Sequence, residues 1–210
     1  MKTIASKISL LLYALTGFAN VVNAENVSDT LKYSISINYY IDLSDTYDGG
    51  NLLNAEAKIT KSWFGASISF GHFQSYSIFE YRVHVDELEK TLIIPFDEVS
   101  IMKTGSISLI INPIKTESFE TELVIGFVSS FAKSSQFHDV EYSYSLQTNS
   151  FNYLYKNYEL IKRSHLGYQL GLSVTYYPLK KAGLQINTRI QDLNNGGTFF
   201  FVGGGLCFRL

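Results

Sequence analysis

A single cysteine, Cys207, excludes an internal disulfide, so non-covalent forces must hold this 210-residue chain together. Proline is nearly missing: three residues, against 15 phenylalanines and 15 tyrosines. Proline cannot donate to a strand ladder and aromatics are favoured in one, so the balance suits long β-strands. Basic charge is not in excess either. With 17 Lys and Arg against 19 Asp and Glu, the formal net charge is −2, which argues against nucleic acid as a partner. After Ala24 no apolar run approaches the roughly 20 residues that a membrane-spanning helix needs, because polar residues interrupt it. These absences exclude disulfide-stapled, nucleic-acid-binding and helical transmembrane classes.

The first 24 residues read as an export signal. Lys2 and Lys7 form the positive region, the stretch Ile8 to Phe18 the apolar one, and Val22-Asn23-Ala24 a small-residue cleavage site. The mature chain is expected to begin at Glu25 and to form one domain over 25–210. Its balance is then 15 basic against 19 acidic residues. No cysteine follows the cleavage site to carry a lipid anchor.

What is present is alternation. Leu31, Tyr33, Ile35, Ile37, Tyr39 and Ile41 alternate with Lys32, Ser34, Ser36, Asn38 and Asp42. Side chains alternate across a strand with period two, so this is a strand with one apolar and one polar face. The pattern recurs from Leu53 to Ile59, Phe64 to Phe70, Ile107 to Ile111, Phe119 to Phe131, Leu166 to Tyr176, Leu184 to Ile190 and Phe200 to Leu210. That predicts about eight strands. Long connections alternate with short ones, as antiparallel neighbours produce when one end of a sheet carries the loops. Residues 43–50 read as a loop, and tight turns fall at Lys61-Ser62, at Asn112 to Glu117 and at Pro178 to Lys181. In each a lysine shortly precedes a bulky apolar residue, a weak hairpin repeat that ordinary turn composition explains equally well. Two excursions, about Gln74 to Lys103 and Lys133 to Ser164, are expected to extend their strands as protruding hairpins.

Alternation alone does not say whether the apolar face points into a core or into lipid. Three features favour lipid. The polar face is crowded with small residues, among them Gly65, Ser67, Ser69, Gly71, Gly126, Gly171, Gly203 and Gly205, which a narrow barrel interior needs and a solvent face does not. The runs are about ten residues long, the length of a membrane-crossing strand. Aromatics stand toward strand ends, at Tyr39, Phe70, Phe119, Tyr168, Tyr176 and Phe200, where an interfacial girdle lies. The expected fold is an all-β closed antiparallel transmembrane barrel with long hairpin loops at one end.

On these features, and on a final strand ending Leu206-Cys207-Phe208-Arg209-Leu210, the chain resembles the small outer-membrane β-barrels of Gram-negative bacteria, of the OmpX/OmpA type. The family's members tend to finish on an aromatic; here Phe208 stands two residues before Leu210. The resemblance implies an even-stranded barrel in the outer membrane, both termini in the periplasm, the long hairpins outside the cell, and a last strand read by the barrel insertion machinery.

The polar face carries Glu56, Lys58, Glu120, Glu122, Arg189 and Arg209. Buried charges must be paired, so these predict a salt-bridge network filling the lumen, with a narrow ion path as the sharper alternative. Serine–histidine catalysis would place the two residues two apart on one strand face. His72 is flanked there by Phe70 and Gln74, and His165 by Arg163 and Gly167. No catalytic residue, cofactor or metal is therefore expected, although His84 and His138-Asp139 could meet if the hairpins touch. The tyrosines Tyr142, Tyr144, Tyr153 and Tyr155 are the candidate interaction surface, expected to lie on one side of their hairpin. Packing on each other, or extending the interfacial girdle, is the alternative. The expected function is a non-enzymatic outer-membrane protein presenting its loops for adhesion, recognition or envelope integrity, with membrane lipid and an extracellular ligand or surface as partners. A lipid-modifying enzyme, or an exported soluble barrel enclosing an apolar ligand, are the alternatives.

Overall fold

The computed structural model describes residues 30–44, 49–85 and 90–210; the expected export signal over 1–24 lies outside them. Eight antiparallel strands follow in order: β1 (Leu31–Asp42), β2 (Gly50–Lys61), β3 (Phe64–Val85), β4 (Lys90–Lys115), β5 (Phe119–Ser145), β6 (Ser150–Leu179), β7 (Ala182–Asp192) and β8 (Thr198–Arg209). Each pairs with its neighbour, and β8 closes back on β1 from Ser34↔Arg209 to Asp42↔Phe201. Closure leaves the wall without a free edge.

Register fixes the faces. Ile37 pairs with Ala55 on one side and Leu206 on the other, so outward residues stay outward around the ring. Ile107, Phe127 and Leu166 are 68%, 81% and 70% exposed, and Ile186 is 68% exposed. Asn38, Asn54, Glu56, Glu122 and Gln185 are buried. A continuous apolar band round a closed sheet far exceeds the apolar patches that water-soluble monomers tolerate. Lipid is the medium that suits it, and the soluble-barrel alternative is overturned because its ligand face would have to be this outer one. Strands of 11 or 12 residues, as in β1, β2, β7 and β8, rise about 3.3 Å per residue. Tilted by about 40°, they span the roughly 25 Å of an outer-membrane apolar band.

The narrow interior explains the glycines. A Cβ on Gly205 would stand 2.2 Å from the Ile37 carbonyl oxygen, and one on Gly203 2.1 Å from that of Tyr39. Any larger residue would push β8 away from β1 at the closing seam.

The four middle strands are longer, at 22, 26, 27 and 30 residues. Beyond the barrel rim they continue as two hairpin arms, β3–β4 and β5–β6, as the excursions predicted. The opposite, turn end differs from expectation at two places. β6 runs on through Pro178 to Leu179, past an irregularity between Tyr176 and Leu179. Asn112 to Glu117 is not all turn: β4 runs to Lys115 through a bulge between Ile111 and Ile114. The bulge swings Lys115 inward.

Candidate functional site

The buried side chains divide into three layers. The first, toward the turn end, is charged. Lys58 on β2 lies 3.6 Å from Glu56 and in direct contact across the lumen with Glu122 on β5. Glu122 also accepts hydrogen bonds from the Ser173 hydroxyl at 2.8 Å and the Gln185 amide at 3.5 Å. Glu120 takes ion pairs from Lys115 and Arg209, each at 3.5 Å, and a hydrogen bond from the Tyr177 hydroxyl at 3.2 Å. Arg209 lies 3.4 Å from the centre of the Tyr177 ring and donates to the Glu117 carbonyl at 2.9 Å. Every carboxylate in this layer has a cation or several donors, which the low dielectric of a filled barrel requires. The space left between Tyr40, Glu56, Lys58, Glu122 and Arg189 is a cavity of about 10 Å³, at the lower limit for one water molecule.

The second layer is apolar. Tyr40, Leu52, Phe73, Met102, Val128, Leu193, Phe199 and Phe201 are buried together inside the arm end of the barrel. The Phe73 ring on β3 meets those of Phe199 and Phe201 on β8 at 5.4 and 5.9 Å, a contact that bridges the lumen past β1 and β2. Arg189 joins the two layers. It donates to the Tyr40 hydroxyl at 3.2 Å with its guanidinium 5.1 Å from the ring centre.

The third layer lies between the arms. Val83, Ile94, Phe96 and Val140 are buried, with Tyr81, Leu92, Phe137, Phe151 and Leu154 packed round them. Phe137 of the second arm sits 5.1 Å from Phe79, 5.2 Å from Tyr81 and 4.7 Å from Phe96 of the first. The Lys156 ammonium contacts the Pro95 carbonyl and lies 5.3 Å above the Phe96 ring. The arms therefore share a core of their own. On the first arm the Tyr76 hydroxyl donates to Asp97, and holding that proton keeps the phenol above its usual pKa.

No protein-family model matches the chain, and no curated protein matches it in sequence. Solved structures do resemble it. Neisserial surface protein A superposes with a TM-score of 0.51 at 10% identity, over 89% of this chain and 100% of that one. The N-terminal β-barrel domain of Pseudomonas aeruginosa OprF gives 0.50 at 11% identity, over 86% and 100%. A major outer membrane protein from Thermus thermophilus gives 0.51 at 15%, again over 86% and 100%. The fold is that of the small outer-membrane β-barrels. At these identities the likeness speaks for the fold alone.

Within this outer-membrane barrel fold, Glu56, Lys58, Glu120, Glu122, Arg189 and Arg209 all face the lumen; there Lys58 pairs with Glu56 and Glu122, and Glu120 pairs with Lys115 and Arg209. Lys115 and Tyr177 are additions. Sequence pattern hid Lys115 because a bulge changes its facing. The aromatic layer was also missed, although a signal existed: Tyr39-Tyr40-Ile41, Leu52-Leu53 and Phe199-Phe200-Phe201 are apolar on both faces.

The tyrosines do not all share one side of their hairpin. Tyr142 pairs with Leu154, while Tyr153 and Tyr155 pair with Ser143 and Glu141 on the other face. Tyr142 and Tyr144 pack edge-on against Phe151, at 6.0 and 5.3 Å. Bulges at Phe137/Asp139 and Ser143/Tyr144 interrupt the alternation that an unbroken ladder would have kept. Tyr153 and Tyr155 lie 5.5 Å apart, ring to ring, and are 47% and 62% exposed. Among the histidines, His138 stands 3.7 Å from the Glu159 carboxylate, and His165 packs beside Gly196. Among the described residues, no group of three or more His, Cys, Asp or Glu could hold a metal ion.

Proposed function

We propose that the chain is a non-enzymatic outer-membrane protein that holds two arms outside the cell as a binding platform. The observation that carries this reading is the pairing of a filled lumen with arms that share a core. An interior stopped by a charged layer and an aromatic one has no room to conduct or to hold a substrate. Arms that only linked strands would need no buried Phe96 and Val140. The interaction surface is the exposed pair Tyr153 and Tyr155, rigid amphipathic rings of the kind that supply contact area at low entropic cost. In this reading residues 1–24 are removed on export, and the last strand, β8, with Phe208 near its end, is the one the insertion machinery engages. The extracellular ligand or surface is met by the arms, not the barrel.

The test has two parts. A cysteine placed at Thr148 in a Cys207→Ser background should react with a membrane-impermeant maleimide on intact cells. Cells displaying Tyr153→Ser/Tyr155→Ser should then adhere less than wild type to immobilised matrix proteins and glycans, at equal surface amount. Absence of labelling on intact cells would reverse the orientation. Equal adhesion by both chains, or by cells lacking the protein, would remove the tyrosine pair from the interaction surface.

A further inference from the structure

The outward face of the barrel is not uniform at its arm end. On β4 the outward positions run Ile111, Leu109, Ile107 and Gly105, then Lys103. On β5 they run Leu123, Ile125, Phe127, Ser129 and Phe131, then Lys133. On β6 they run Leu172, Leu170, Tyr168, Leu166 and Ser164, then Lys162. On each of three consecutive strands the first charge above the apolar belt is a lysine, and His72 takes that place on β3, paired with Lys103. The corresponding described positions on the other four strands are Ile41, Asn51, Asp192 and Thr198, none of them a cation. One side of the rim is basic and the other is not.

Register draws the three lysines together. Lys133 pairs directly with Lys162, and Lys103 is diagonal to Lys133 through its own partner Phe131. Directly opposed residues have Cβ atoms about 5 Å apart and diagonal ones about 7–8 Å, and like charges placed so repel. All three side chains are exposed, and no carboxylate among the described residues pairs with them. The outward acid further up β4, Asp97, is six residues beyond Lys103 and already holds the Tyr76 hydroxyl. The Lys133 ammonium lies 5.8 Å from the Phe131 ring centre, placing a cation beside an aromatic at the edge of the belt. The Ser164 hydroxyl adds a donor in the same row as Lys103 and Phe131.

We propose that Lys103, Lys133 and Lys162 form a site for the phosphate groups of an anionic lipid in the leaflet around the arm end. Repulsion among three unpaired ammoniums is relieved when an anion sits between them. The height selects the source, because phosphates of a bilayer lie just above the hydrocarbon and these are the first charges above the belt. The belt directly beneath, with Phe127 and Leu166 projecting outward, gives acyl chains a seat that free phosphate would not use. The site thus recognises a phosphate and its chains together. It rests on the membrane-barrel reading, though not on what the arms bind.

The test uses the mature chain in detergent, with bound lipid counted by native mass spectrometry. The probes are bisphosphorylated lipid A, the same lipid dephosphorylated, and inorganic phosphate as competitor. Wild type should retain the bisphosphorylated lipid preferentially. Lys→Gln at one of the three sites should weaken it by about fivefold, and K103Q/K133Q/K162Q by on the order of 100-fold. K180Q/K181Q at the turn end should bind as wild type does. The heat-dependent gel shift of a folded barrel, run on every variant, separates loss of the site from loss of the fold. If the triple variant fails that shift, the K162Q single variant decides. Equal retention by wild type and the folded triple variant, or by wild type for both lipid forms, would overturn the proposal. So would competition by inorganic phosphate at concentrations matching the lipid, which would make this a soluble-anion site.

Discussion

The barrel's inward face and the buried surface between the arms are held together in opposite ways. Around Lys58 that face is charged, and its side chains are held by ion pairs across the lumen, Lys58 with Glu122 and Arg209 with Glu120. Around Phe137 the outward row of the second arm packs on the inward row of the first, an apolar contact whose side chains are held by packing. The surroundings explain the difference. In the barrel the outward face is given to lipid, which removes any hydrophobic gain from burying apolar groups inside, so polar contacts must join the strands across the lumen. Above the rim the arms stand in water, where apolar burial is again the strongest available force. The aromatic layer of Phe73, Phe199 and Phe201 lies between the two regimes.

The comparison is broken most severely at Lys58. Lys58→Met would leave Glu56 and Glu122 facing each other in a closed interior, with an expected loss of about 3–5 kcal/mol of barrel stability, read from urea unfolding in lipid vesicles. Phe73→Ala removes the ring that bridges the lumen and should cost about 3–4 kcal/mol, measured the same way, without opening a conducting path, since the charged layer below stays filled. Phe137→Ala acts above the rim. Its ring is half-buried, so about 2 kcal/mol is expected, seen as faster proteolysis and hydrogen exchange of the arms with the barrel strands unchanged. Tyr153→Ser should shift stability by no more than about 0.5 kcal/mol in thermal unfolding, because its ring is exposed outside the shared core.

What the sequence made legible follows the same division. In the barrel, period-two alternation is enforced on every strand by lipid outside and a narrow lumen inside, so Glu56, Lys58, Glu120, Glu122 and Arg189 could be assigned inward from pattern alone. Alternation fails where a bulge intervenes. Pattern alone leaves Lys115 in a turn and puts Tyr142 with Tyr153, because nothing in composition announces the bulges at Ile111/Ile114, Phe137/Asp139 and Ser143/Tyr144. The arms' shared core was not legible for a further reason. Phe96 and Phe137 are far apart in sequence on strands that do not pair at that level, and their contact depends on how two hairpins lean together. The basic rim was missed because its lysines belong to three separate strands and meet only once the register is known.

The measurement that bears most directly on this account is the temperature at which the mature protein, in detergent on a gel, converts from its folded to its unfolded mobility. Wild type should shift only on strong heating, Lys58→Met at a clearly lower temperature, and Phe137→Ala at the wild-type temperature. Absence of any shift in wild type would contradict a closed lipid-facing barrel. An equal fall for Phe137→Ala and Lys58→Met would show that barrel and arms are one structural unit held by the same forces.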